Sequence, residues 1–400
     1  MAPPRQPLPR SVKILGLVSL LNDASSEMIY PLLPAFLTAT LHAGPAFLGL
    51  VEGLAEAVAS LLKIASGVLS DRVQRRKPLV VFGYALASVA RPLIAVASAP
   101  WHVLAVRFAD RVGKGTRGAP RDALLAEAAA AGDRGRAFGF HRAMDHLGAT
   151  LGPLLAAAVL AWRRDLRLLF ALASVPALAS VLVLVFGVRE TSRPAADVPG
   201  KAAVTAPLPA PFLRYLCVLA LFTLGNSSDA FLLLRAQQCG VSIVWIPVLW
   251  TAHHLVKAAV STPAGALSDR MGRRGAIAAG WGIYALAYAG FAVAASAPAI
   301  WLLFGVYGLF HALTEGPERA LVADLAGAAA RGRAFGLYHG VTGAMLLPAS
   351  LLSGLLWQQF GAAWALGAGA ALAALAAGLL GVVTERTHPV TTVSRPVHPA

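Results

Sequence analysis

Two copies of one short step, each set between long apolar segments, limit this chain to a duplicated architecture. Gly67-Val68-Leu69-Ser70-Asp71-Arg72, followed by Arg75-Arg76-Lys77, returns as Gly265-Ala266-Leu267-Ser268-Asp269-Arg270, followed by Gly272-Arg273-Arg274. Gly67 and Gly265 lie 198 residues apart in a chain of 400. Arg134-Gly135-Arg136-Ala137-Phe138-Gly139 returns as Arg331-Gly332-Arg333-Ala334-Phe335-Gly336, and Pro120 with Ala123-Leu124 returns as Pro317 with Ala320-Leu321. Three matches at a near-constant offset describe two related halves.

The solvent for those halves follows from composition. Charged residues are 13% of the chain and apolar residues 57%, whereas a soluble domain carries roughly 25% charge. Lipid is therefore the expected medium. The net charge of +15 does not point to nucleic acid, because the Lys and Arg residues form short clusters between apolar segments, as cytoplasmic loops do. Cys217 and Cys239 have neither metal spacing nor a disulfide framework. Arg5, Arg10 and Lys13 ahead of an apolar run have the outline of a secretory signal. Asn22, Asp23 and Glu27 interrupt that run, and no small-residue cleavage site follows, so it is expected to be a retained first span.

A membrane span needs about 20 mainly apolar residues. Twelve stretches qualify: near 13–38, 46–69, 79–97, 101–123, 137–160, 166–188, 212–234, 243–267, 276–296, 299–322, 335–357 and 361–383. The expected layout is an N-terminal segment (1–12), a six-helix bundle (13–188), a Pro/Ala-rich linker (189–211), a second six-helix bundle (212–383) and a polar tail (384–400). Basic residues mark the N-terminus, the linker and the loops at 70–78, 134–136, 268–275 and 331–333, while the loops at 42–45, 98–100, 296–298 and 358–361 have none. Counting Lys and Arg places both termini in the cytoplasm. One loop breaks the rule: Arg163, Arg164 and Arg167 fall on the outer side, opposed only by Asp165.

Gly67-x-Leu69-x-Asp71-Arg72-x-x-Arg75-Arg76-Lys77 resembles the signature loop between helices 2 and 3 of the major facilitator superfamily of transporters. Gln74 stands where that family has Gly, and the second copy keeps the glycine as Gly272. Gly148-x-x-x-Gly152-Pro153 resembles the family's antiporter motif, which is associated with efflux. The resemblance covers about 13–383. It implies an all-α integral membrane fold, with twelve transmembrane helices in two pseudo-symmetric six-helix bundles, multi-pass in the plasma (bacterial inner) membrane. It further implies alternating access, with Gly67, Asp71, Arg72, Arg76, Gly265, Asp269, Arg270 and Arg274 forming a conformational gate. Physical chemistry agrees with the motifs: glycine lets helices approach closely, a proline inside a helix bends it, and an aspartate suits the positive end of a neighbouring helix.

Helix 4 is the most unusual stretch. Arg107, Asp110, Arg111, Lys114, Arg117 and Arg121 recur at spacings of three and four, which is one face of a helix. Charges inside a span face the bundle interior or a wet cavity, because lipid exposure costs several kcal/mol each. Arg107 resembles the helix-4 arginine that the family associates with proton coupling. Asp23, Glu27 and Tyr30 share one face of helix 1. At about 1.5 Å rise per residue, Arg107 arrives at the depth of Glu27 and Arg111 at that of Asp23, so these four are expected to form one interacting cluster. Helices 1, 4, 7 and 10 line the central path in the family. The full candidate set for proton coupling and the central cavity is Asp23, Glu27, Glu56, Arg107, Asp110, Arg111, Asp145, Asn226, Asp229 and Glu315, since an ionisable group within a span is a functional candidate by default.

No metal is expected, because the adjacent His253 and His254 point to different helix faces. No cofactor and no enzyme activity are expected, since Gly113-Lys114 lacks the upstream glycine and the Ser/Thr of a phosphate loop. The expected function is proton-coupled export of a small molecule, with the protein working as a monomer in the lipid bilayer and binding no nucleic acid. Proton- or ion-coupled uptake of an anionic solute is the alternative, favoured by the surplus of cations on helix 4. A non-transporting membrane sensor is a third reading.

Overall fold

The computed structural model describes residues 7–73, 75–129, 133–188 and 208–384, excluding the side chains of 71–72, 134–135, 262, 265–270, 327–332 and 382–384. The expected tail, most of the expected linker, and the side chains of Asp71, Arg72, Gly265, Asp269 and Arg270 therefore lie outside the described residues. Twelve spans follow in order. α1 is Arg10–Ile29, prolonged through Tyr30–Leu32, Leu33–Ala35 and Phe36–Thr40; α2 is Pro45–Arg72; α3 is Lys77–Ala90 with Arg91–Val96; α4 is Pro100–Ala128. α5 is Arg134–Trp162, α6 is Leu166–Leu172 with Ser174–Gly187, α7 is Ala210–Gly225 with Ala230–Gln238, and α8 is Ile246–Met271. α9 is Arg273–Val293 and α12 is Ala362–Thr384. Between them, helical backbone runs unbroken over Ala297–Phe360, containing the apolar spans Ala297–Ala326 (α10) and Arg333–Phe360 (α11).

A straight helix of 64 residues would be about 96 Å long, far beyond one bilayer. It is not straight. Tyr338 Oη donates to Glu318 Oε2 at 2.8 Å, although 20 residues of straight helix would hold them about 30 Å apart. The chain folds back between them, so α10 and α11 are antiparallel neighbours, as the sequence predicts. With an even number of spans, the two termini leave on the same side.

Helix irregularities sit where the sequence places breakers. Pro31 and Pro34 each remove a backbone donor, and α1 tightens to a 3-10 turn at Tyr30–Leu32 and then widens to a π-turn at Phe36–Thr40. The span expected to run continuously over 212–234 is broken between Gly225 and Ala230. Carbonyls freed at that depth need donors, and tyrosines of α9 supply them: Tyr284 Oη donates to Gly225 O at 3.0 Å and Tyr288 Oη to Ser227 O at 3.4 Å.

Among the described residues eight spans are apolar enough to cross a membrane on length and composition alone, and α1, α2, α4 and α8 are not among them. Those four carry Asp23 and Glu27, Glu52 and Glu56, the arginine stripe, and Lys257 with two histidines.

The halves meet along α2 and α11. A Cβ added at Gly49 would lie 2.2 Å from Ser350 O, and one at Gly354 would lie 2.6 Å from Pro45 O. Backbones this close are possible only between glycines and their partners. The backbone N–H of Ala46 donates to Gln358 Oε1 at 3.3 Å, and Phe231 packs on Trp357 with ring centres 5.7 Å apart. This seals the side away from the termini, the far side. On that side Arg167 acquires a purpose: its Nη1 donates to Ala95 O at 2.7 Å, at the end of α3, and its guanidinium lies 5.4 Å from the Phe36 ring centre. Asp165 caps α6 by accepting from the backbone N–H groups of Arg167 and Leu168. The cysteines are free thiols.

Candidate functional site

A cavity of about 840 Å³ lies between the two halves. At its closed end it is lined by Tyr30, Ser228, Asp229, Tyr307 and Ser350, and it extends to Arg121, Asp122, Arg142 and Gly336 toward the side that carries the termini. The roof is an aromatic and hydroxyl contact across the halves. Tyr30 of α1 and Trp250 of α8 have ring centres 5.4 Å apart, and Tyr30 Oη is 3.5 Å from Ser228 Oγ of α7.

Two glycines seat the acids of α1. An added Cβ at Gly148 would meet Leu20 O at 2.4 Å and Asp23 Cβ at 3.1 Å; at Gly152 it would meet Ala24 O at 2.4 Å and Glu27 Cβ at 3.0 Å. The Gly148, Gly152, Pro153 motif of α5 is thus the surface against which α1 presses.

Eight carboxylates and seven Lys or Arg residues line the cavity, so its net charge chooses no solute and the pairing decides. Glu52 of α2, 1% exposed, holds Arg107 with three N–H···O contacts of 2.7–3.1 Å. Arg111 Nη2 lies 3.2 Å from Glu56 Oε1. Arg91 of α3 donates from Nε to Asp110 Oδ1 at 2.8 Å and from Nη1 to Asn22 O at 3.1 Å. Asp110 also lies 3.9 Å from Arg107 and 4.0 Å from Arg111. Arg107 and Arg111 of the stripe are neutralised by α2 and by Asp110, whereas Arg117 donates to Gly83 O at 3.2 Å and lies over the Tyr84 ring.

The expected cluster of Asp23, Glu27, Arg107 and Arg111 is therefore not what forms. Depth matching alone ignores that α2 packs directly on α4 and offers Glu52 and Glu56 at shorter reach. The acids of α1 take neutral donors: Glu27 Oε2 accepts from Trp250 Nε1 at 2.9 Å, and Asp23 Oδ1 accepts from Asn22 Nδ2 at 2.8 Å. Asp145 accepts from Ser19 Oγ and lies 3.4 Å from His141 and 3.6 Å from Arg142. In the second half Tyr307 Oη donates to Asp229 Oδ1 at 2.6 Å.

Of the ten cavity candidates, Asp23, Glu27, Glu56, Asp110, Arg111, Asp145, Asn226 and Asp229 line the main cavity. Arg107 lines a small buried void beside it, with Ser26, Arg91 and Asp110. Glu315 lies on neither lining; it pairs with Lys257 and lies 3.7 Å from His311. Of the gate residues with described side chains, Arg76 Nη1 donates to Glu127 Oε1 at 2.5 Å and its Nε to Ser70 O at 3.3 Å, tying the signature loop to the end of α4. Gly67 faces Ala119, 3.6 Å from an added Cβ, and Arg274 is half-buried at the start of α9. Among the described residues no group of three His, Cys, Asp or Glu is placed to hold a metal.

Glu52 is an ionisable candidate of helix 2 in the sequence, but not as the partner of Arg107. Three contributors escaped the sequence reading of the site, and of these Arg91 was legible as an ionisable residue within a span. The aromatic donors Trp250 and Tyr307 carried no such mark. One repeat was also legible: Ser25-Ser26-Glu27 on α1 returns as Ser227-Ser228-Asp229 on α7, and both acids reach the cavity.

The family profile of the Major Facilitator Superfamily matches residues 15–252 and 235–399. The chain belongs to this superfamily. The uncharacterised MFS-type transporter MJ1317 of Methanocaldococcus jannaschii is 35% identical over 358 residues, covering 88% of this chain and 89% of that one. The multidrug resistance protein MdtH of Edwardsiella ictaluri is 28% identical over 135 residues, 34% of this chain and 33% of that one. Among solved structures, a bacterial homologue of the human lysosomal transporter Spinster, inward-facing and occupied, superposes with a TM-score of 0.75 at 16% identity, covering 95% of this chain and 98% of that one. The protein is an integral, multi-pass membrane protein of the transporter fold.

Proposed function

We propose that the chain is a proton-coupled exporter of a small molecule, working by alternating access in a bacterial inner membrane with both termini in the cytoplasm. The observation that carries the reading is the cavity: sealed at the α2–α11 seam, it extends toward the basic, terminal side and places Asp23 on its wall with only a neutral amide donor. Among the described residues Asp23 has no ion pair, so it can gain or lose a proton without breaking one. Its charged neighbours along the α1–α5 face are Asp145, His141 and Arg142, with Arg117, Arg121 and Lys114 on α4. The partial likeness to a multidrug resistance protein supports the outward direction.

The test is counterflow in proteoliposomes with an imposed pH gradient. Export coupled to protons requires solute movement against its gradient that stops with a protonophore, and Asp23→Asn should exchange solute yet lose uphill movement. Uphill movement that survives in Asp23→Asn with an unaltered pH profile would move the proton site elsewhere. Uptake of an anionic solute remains the second reading. It is favoured by Lys63, Lys114 and Arg142 on the lower cavity wall, and solute accumulating in the direction of proton entry would establish it.

A further inference from the structure

We propose that Glu27 and Asp229 bind the positive charge of the transported solute, which is an organic cation with an apolar body. This rests on the transport reading above and names the solute class for the same cavity. The two acids are the last residues of the repeated Ser-Ser-acid step, so the duplication brings one carboxylate from each half to the closed end of the cavity. They are linked through the roof: Ser228, beside Asp229, touches Tyr30, which packs on Trp250, whose indole N–H is held by Glu27. Each acid accepts from one neutral aromatic donor, and among the described residues neither has an ion pair.

The nearby guanidinium groups do not fill that role. Arg107 is committed to Glu52, Arg111 to Glu56 and Arg91 to Asp110. Lys63, Lys114 and Arg117 also line the cavity without an ion pair among the described residues, on the parts of α2 and α4 that run toward the terminal side. An anion placed at the closed end would face Glu27 and Asp229, whereas a cation would complete them. A second, independent observation points the same way. Asn22 is 2% exposed and lines this wall, and its Oδ1 has no donor. Arg111 Nε is also unmatched on this wall, but that guanidinium is already held by Glu56, so the Asn22 oxygen is a neutral acceptor left for a donor on a cationic solute. The rings of Tyr30, Trp250 and Tyr307 add the faces that attract organic cations. One of them already carries a cation, with the Arg107 guanidinium 5.7 Å from the Tyr30 ring centre. The volume of about 840 Å³ suits a drug-sized body, since such sites span about 300–1,000 Å³.

The test uses two probes of one shape and opposite charge, tetraphenylphosphonium and tetraphenylborate, in equilibrium binding to the purified full-length protein in detergent. The wild type is expected to bind tetraphenylphosphonium at least tenfold more tightly than tetraphenylborate. Glu27→Gln and Asp229→Asn should each weaken tetraphenylphosphonium binding at least fivefold and leave tetraphenylborate unweakened. If either acid variant does not fold, Trp250→Phe and Tyr307→Phe take its place; they keep ring and acid, and should keep the charge preference. Tighter binding of tetraphenylborate, no binding of tetraphenylphosphonium by the wild type, wild-type affinity in both acid variants, or loss of the charge preference in the ring variants would each overturn the proposal. Binding needs no gradient, so the two readings fail separately. Tetraphenylphosphonium that binds through Glu27 and Asp229 but is never driven by pH sinks proton export alone. A pH-driven exporter that prefers tetraphenylborate sinks the cation site alone.

Discussion

The helices α4 and α10 come from one duplicated segment, yet at the depth of Arg107 and Phe304 they hold their bundles together with different chemistry. At an offset of 197 residues Arg107 becomes Phe304, Asp110 becomes Tyr307, Arg111 becomes Gly308 and Lys114 becomes His311. Their partners change in step: Glu52 of α2 corresponds to Trp250 of α8, and Glu56 to His254. In the first half the contact is ionic, Arg107 on Glu52. In the second it is a ring cluster, with His253 stacked on Tyr307 at 5.2 Å, edge-on to Phe304 at 6.0 Å, and Phe222 stacked on Trp281 at 4.4 Å. The duplicated backbone packing survives the exchange, so packing is set by helix shape and small residues. Charge is thereby free to be concentrated in one half.

That contrast is broken most forcefully at Arg107. Arg107→Leu leaves Glu52 buried without a partner, and loss of one member of a buried pair costs about 3–5 kcal/mol. The expected outcome is a large fall in the unfolding temperature measured in detergent. The double variant Arg107→Leu, Glu52→Leu should recover most of it, because an apolar pair of similar volume is often neutral or better, and the second half shows that this interface accepts an apolar filling. Failure of the double variant to recover would mean that the first half needs its charges to fold. Transport should stay impaired in the double variant, which separates the two roles.

The matching change in the second half is Tyr307→Phe. It removes one hydrogen bond to a carboxylate, a loss of about 1.5–3 kcal/mol, and leaves the ring stack in place. A smaller fall in unfolding temperature than for Arg107→Leu is expected. An equal or larger fall would show that the ring cluster depends on its link to Asp229 as much as the ionic half depends on its ladder.

The duplication, the spans and their order were legible in the sequence because lipid forces apolar runs of a fixed length. The cavity was legible in outline because ionisable residues in such runs must face inward. Partner choice was not. Arg107 reads equally well against Glu27 or Glu52, and only the direct packing of α2 on α4 decides between them. Nor does the sequence reveal that Glu27 is held by a tryptophan of the other half, because an aromatic residue in an apolar span looks like lipid contact. The break in α7 was hidden for a related reason: its freed carbonyls are satisfied by Tyr284 and Tyr288, about 60 residues away in sequence.

The finest comparison is between the glycines of α5 and Gly340 and Gly343 of α11, the corresponding helix of the second half. Gly152 presses against backbone, with an added Cβ 2.4 Å from Ala24 O, whereas an added Cβ at Gly340 meets only the tip of Ile64 at 3.8 Å. A backbone carbonyl cannot rotate away as a side chain can, so Gly152→Ala must move α5 off α1. Overpacking of this kind costs about 1–3 kcal/mol, and here it also shifts the seat of Glu27. Gly340→Ala has ordinary contact distance and gains helix propensity of up to about 1 kcal/mol, so its unfolding temperature should hold or rise slightly. Gly343 separates two further effects. Its added Cβ would lie 2.2 Å from Ser60 Cβ across the seam between the halves, so Gly343→Ala should leave each bundle intact and loosen the far-side seal. The measurement is thiol labelling of a cysteine introduced at Ser350, read from the far side with the native Cys217 and Cys239 replaced by serine. Faster labelling in Gly343→Ala than in Gly340→Ala is expected. Equal rates would mean that Gly340 and Gly343 are ordinary helix packing and that the seal depends on Gly49 and Gly354.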